Sequence, residues 1–162
     1  MKKYFLLVTI LFASCAEQKQ EPKTAGYSIR GEEESYMIGS DETTDFIRKW
    51  ADAHNERDME SILSMEKADI KIELPDGTVI NGQDEHSKVL ESFFANNVTW
   101  KPYWMLPYNS VVAKETWVIA GFALTSNVDG EENVVLHMGD IQLEDGLVSR
   151  IIVYENQRPK MQ

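Results

Sequence analysis

From Asp41 onward the apolar positions of the chain keep one period, then change to another. About 100° per residue puts Phe46, Ile47, Trp50, Ala53 and His54 on one side of a helix, with Asp45, Arg48 and Asp52 on the other. Ser40 supplies an N-cap, and Asp41 and Glu42 lie in the electropositive first turn. Asn55 to Arg57 break this helix, and Asp58 caps a short second one carrying Met59, Ile62, Leu63 and Met65. The period then falls to two. Ile70, Ile72 and Leu74 alternate with Asp69, Lys71 and Glu73, and Pro75 to Thr78 turn the chain back into Val79 and Ile80. Asn81 and Gly82 introduce a third helix from about Gln83 to Ala95, with Val89, Leu90, Phe93 and Phe94 on one face.

Everything beyond Asn97 reads as strand. Trp100, Pro102 and Trp104 share one parity, and Pro107 bends or interrupts this third strand. The fourth, Thr116 to Thr125, is apolar on both parities, which requires cover on both sides. Asp129-Gly130 and Asp145-Gly146 turn it into a fifth strand, Asn133 to Leu143, and a sixth, Leu147 to Tyr154. The prediction is an α+β domain, a six-stranded antiparallel or mixed sheet with three helices ahead of its long strands.

The chain has 162 residues, 43% of them hydrophobic, enough for a single domain with a real core. Its 27 acidic against 16 basic residues leave a formal charge of -11, which repels phosphate backbones and excludes nucleic acid as a partner. Lys2 and Lys3 precede an apolar run from Tyr4 to Ala13, shorter than the roughly 20 helical residues a bilayer needs, so it reads as an export signal. Residues 16–40 are mostly polar, with no sustained apolar period, and read as a tether from which Tyr36, Met37 and Ile38 can dock. The expected organisation is 1–14 signal, 15–40 acidic tether, 41–156 domain and 157–162 tail.

Two resemblances sharpen this picture. Leu11-Phe12-Ala13-Ser14-Cys15 is similar to the lipobox of bacterial lipoproteins, with Phe12 where leucine is usual. That implies cleavage before Cys15, the only cysteine, and a protein held at the cell envelope by acyl chains on it, with no other membrane contact. The element order, together with AHNERD, IELPDGTVINGQ and LEDGLVSRIIVY, resembles the SnoaL-like branch of the nuclear-transport-factor-2-like superfamily over Asp41 to Asn156. The resemblance implies a curved sheet wrapped as a cone around the first helix, an apolar pocket at one end, and a homodimer through the convex sheet face. Its members include isomerases, cyclases and dehydratases as well as proteins without catalysis, so residues must decide function.

The positions matching the catalytic groups of the family's ketosteroid isomerases are Trp50, Gly139 and Leu74, which offer neither a base nor an acid. His54 and His137 are the candidate general bases. His137 shares the parity of Val135, Gly139 and Ile141, which the resemblance turns toward the pocket. Asp140 and Glu73 have the wrong parity to join them. Trp100, Trp117, Arg150 and Tyr154 complete the expected pocket with Trp50, Leu74 and Gly139: aromatic walls, an arginine for a carboxylate, a phenol as donor. The histidines, including His86 beside Glu85, lack metal-ligand spacing, and no cofactor is implied. The leading expectation is a domain that binds a small, largely apolar ligand. An enzyme using His54 or His137 as base, with Trp50 or Tyr154 as donor, and a dimeric interaction module stand as alternatives.

Overall fold

The computed structural model describes residues 23–28, 34–128 and 130–156. The signal segment, Cys15 and the 157–162 tail lie outside the described residues. The first helix, α1, runs Asp41–Glu56; Ser40 Oγ accepts from the Glu42 amide, and Arg57 closes the helix in the left-handed region at φ 59°. Asp58 accepts from the Ser61 amide to start α2, Met59–Ser64, and α3 spans Gln83–Ala95.

The strands are β1 Ala25–Ser28, β2 Glu34–Ile38, β3 Glu66–Glu73, β4 Val79–Asn81, β5 Thr99–Ser110, β6 Thr116–Val128, β7 Glu131–Glu144 and β8 Leu147–Asn156. They form one eight-stranded sheet in the order β1-β2-β5-β6-β7-β8-β3-β4, curved and unclosed. Among the described strands only the β3–β8 pair is parallel, because α3 and the long meander separate these strands in sequence. The helices cover the inner face, where Ile47, Trp50, Ile62, Ile70, Val118, Ile141 and Val148 are buried almost completely. Burial of that many large side chains, each worth roughly 1.5–3 kcal/mol, is what fixes α1 against the sheet.

Two local features depart from the sequence pattern. Part of the expected tether is sheet: β2 pairs with the end of β5, and β1 pairs with β2, giving eight strands instead of six. A single carboxylate reinforces this pairing. Glu34 Oε1 accepts from the amides of Ser35, Val111 and Val112 at 3.0, 2.8 and 2.8 Å, and Oε2 from Ala113 at 2.9 Å. Tyr36 adds an edge contact with Tyr108, ring centres 5.6 Å apart.

The second departure is in β5. Pro107 does not interrupt it; the strand runs through to Ser110, and the Pro107 carbonyl accepts from Gly39. The irregularity lies at Tyr103, where the register jumps from Pro102↔Phe122 to Trp104↔Gly121. This bulge turns Trp104 to the outer face, away from Trp100 and Pro102. Gly121 beneath it is required, since a Cβ there would stand 2.6 Å from the Tyr103 ring and collide with the Trp104 indole.

Candidate functional site

The inner-face rows Trp100–Leu124–Val135 and Phe122–His137–Glu155 curve over the C-terminal half of α1, and α3 closes the other side. Between them lies an open recess of about 680 Å³ including its mouth, about 70 Å³ of which is wide enough to take the centre of a water-sized group. Its walls include Ile72, Leu74, Ile80, Val89, Leu90, Phe93, Phe94, Leu124, Ile151 and Val153, with His54, His86, Trp100 and His137 as the polar-tipped members. A smaller void of about 20 Å³ lies deeper, against Trp50, Phe122, Gly139 and Ile141.

α1 places Trp50 and His54 one turn apart, with rings 4.2 Å apart. The Trp50 indole donates to Glu66 Oε1 at 2.9 Å, and the other oxygen, Oε2, meets His86 Nδ1 at 3.0 Å. His54 Nδ1 lies 2.7 Å from the Trp50 carbonyl, which can only accept, so that nitrogen carries the proton. Nε2 is then a bare lone pair. It is buried, and among the described residues it has no partner. Burial pushes the His54 pKa down to about 4, against the Trp50 carbonyl, which favours the charged ring, and with His86 adding repulsion. His54 is therefore neutral at pH 7.

His54, Glu66 and His86 are all buried, and each offers a potential ligand atom within 4.8 Å of the others. Both carboxylate oxygens and one nitrogen of each imidazole are already hydrogen-bonded. A cation drawing on Glu66 would share its oxygens with the Trp50 indole and His86. The cluster is hydrogen-bonded in the order Trp50–Glu66–His86, with His54 packed beside it, ring centres 6.1 Å from His86.

Trp100 is a further wall group with a polar tip. Asn55 holds its backbone from both sides, Nδ2 donating to the Trp100 carbonyl and Oδ1 accepting from its amide, each at 2.7 Å. The indole packs against Phe122 at 5.5 Å and His54 at 4.9 Å, and its Nε1–H is buried without a partner among the described residues.

The expected site residues divide by face. Trp50, His54, Leu74, Trp100, His137 and Gly139 border the two voids. His137 pairs with Glu155 at 3.5 Å; burial lowers its pKa and Glu155 counteracts the shift. Trp117, Arg150 and Tyr154 do not border them. They stand on the outer face, Trp117 stacked on Tyr108 and donating to Glu115, Arg150 bonded through two nitrogens to Glu73 Oε1 at 3.0 and 2.6 Å, Tyr154 donating to Asp140. The reason is parity: Ile151 and Val153 take the inner positions of β8, leaving Arg150, Ile152 and Tyr154 outside. Glu66, His86 as its partner and Asn55 as a clamp were not anticipated as site residues. Glu66 gave no signal beyond its place at a strand start, whereas His86 sits four residues before Leu90 on the apolar side of α3, a spacing that marks it as inward-facing.

No family model matches the chain, and no curated protein matches it. Solved structures do. The epoxide hydrolase/cyclase-like enzyme SalBIII, which has a role in pyran ring formation in polyether salinomycin, aligns at TM-score 0.62 and 16% identity over 72% of this chain and 92% of its own. An NTF2-like protein of unknown function from Cytophaga hutchinsonii ATCC 33406 aligns at TM-score 0.55 and 16% identity over 72% and 92%. Bal32a, from a soil-derived mobile gene cassette, aligns at TM-score 0.62 and 12% identity over 72% and 91%. These likenesses, with the curved sheet packed on α1, show that the chain shares the fold of these structures, one of which is described as NTF2-like.

Proposed function

We propose that the domain binds a small, largely apolar molecule in the recess between α1, α3 and the inner face of the sheet. The observation that carries this reading is the wall itself, aliphatic and aromatic almost throughout, around a void that side chains do not fill. The 70 Å³ takes the end of a guest, whose remainder lies along the open mouth of the recess. Native mass spectrometry of protein isolated from its own cells is expected to show an apolar adduct that disappears in Val89→Trp, which fills the recess. A bare wild-type protein that also ignores added hydrocarbon probes would overturn the reading.

A second reading, an enzyme of the cyclase, dehydratase or isomerase type, is supported by the bare His54 Nε2 beside the Glu66–His86 pair. It predicts that His54→Phe retains binding and loses conversion. The void argues against a plugged interaction module.

Two features of setting belong with this proposal. Cys15 in its lipobox-like context anchors the protein by acyl chains; labelling with palmitate, lost in Cys15→Ala, tests it. The outer face, with Leu106, Met138 and Tyr154 between 41% and 48% exposed, forms a homodimer.

A further inference from the structure

The two nitrogens left without partners have opposite needs. His54 is 7% exposed, and its Nδ1–H is committed to the Trp50 carbonyl, so Nε2 can only accept. Trp100 Nε1–H can only donate. Their rings lie 4.9 Å apart at 36°, both residues bordering the recess; His54 is held at Nδ1, and the Trp100 indole is wedged among the rings of Trp50, Phe93 and Phe122.

Buried polar groups are almost always satisfied, so an open donor beside an open acceptor describes the missing partner. A hydrocarbon satisfies neither. A ketone or ether oxygen accepts from the indole and leaves His54 open. An ammonium donates to His54 and leaves the indole open. A hydroxyl does both. We propose that the guest carries a hydroxyl group, as an alcohol or enol, which donates to His54 Nε2 and accepts from Trp100 Nε1–H while its hydrocarbon part lies against Leu90, Phe93 and Leu124. This deepens the ligand-binding reading and rests on it. Because His54 is already neutral at pH 7, the hydroxyl meets a lone pair and no proton has to be displaced first.

Three probes of similar size separate the possibilities: cyclohexanol, cyclohexanone and methylcyclohexane, titrated into the full-length protein with nitrogen-15-labelled histidine and followed by NMR. Cyclohexanol is expected to bind about tenfold more tightly than either of the others, the scale of one additional hydrogen bond. Only cyclohexanol is expected to move the His54 Nε2 resonance. In Trp100→Phe and His54→Phe, each of which keeps a ring in place, methylcyclohexane still binds and the preference for the alcohol is lost. Equal affinities for the three probes in the wild type, with Nε2 unmoved, overturn the hydroxyl inference and leave the apolar pocket standing; a trapped water on the pair gives this outcome. Failure of all three probes to bind overturns the inference and the ligand-binding reading together.

Discussion

Burying an imidazole whose second nitrogen has no partner ties proton uptake to unfolding. The folded His54 holds its pKa at about 4, while an unfolded histidine titrates near 6.5. As pH falls through that window the unfolded chain gains a proton that the folded one refuses, so the stability contribution present above about 6.5 is progressively lost and levels off below about 4. The loss is on the order of 3 kcal/mol. Urea unfolding of wild type against His54→Phe at pH 7 and pH 4.5 is expected to show a wild-type deficit at the lower pH that the variant lacks; parallel curves would mean that His54 is solvated. The inward side of α1 is legible from periodicity, since Trp50 and His54 follow Phe46 and Ile47 at helical spacing. Glu66 is not legible. One acid among 27 reads as surface, and only the fold shows that an indole and an imidazole from distant helices converge on it. Arg150 and Tyr154 were misplaced because β8 is apolar at Ile151, Ile152 and Val153 in succession, so a period of two marks no inner side there.

At the scale of elements, turn and cap chemistry translates directly into structure. Asp145-Gly146 has both residues at positive φ, 54° and 79°, as a tight hairpin turn demands, and α3 begins and ends where Gly82 and Asn96 place it. The bulge at Tyr103 has no comparable local mark; it arises because two aromatic side chains settle over a glycine on the neighbouring strand. β1 and β2 are hidden for a similar reason. Their segment is polar in composition, and its attachment depends on Glu34 capturing amides of the 111–113 loop, remote in sequence. In Glu34→Ala, hydrogen exchange is expected to speed up at Val111, Val112, Ala113 and along β2, with α1 and β6 unchanged. If protection instead collapses throughout, β2 is part of the cooperative core and not an appended edge.

For the whole molecule, the doubly apolar β6 is covered on its inner side, where Val118, Ala120, Phe122 and Leu124 meet α1 and the core, while Trp117, Ile119 and Gly121 lie on the outer face. That outer face is the proposed dimer surface, so Leu106→Glu with Met138→Glu is expected to halve the sedimenting mass while leaving the helical signal intact. A wild type that sediments as a monomer at micromolar concentration would refute the dimer. The attachment of β1 to the sheet has a further bearing on the anchored protein proposed above. Only eight residues lead from Cys15 to Lys23, at most about 28 Å of fully extended chain. On that proposal, acyl chains on Cys15 would keep the domain from drifting far into the aqueous space. It would then stay within a few nanometres of its bilayer, and the supply of the greasy alcohols proposed as its guests would be set by what partitions into that lipid.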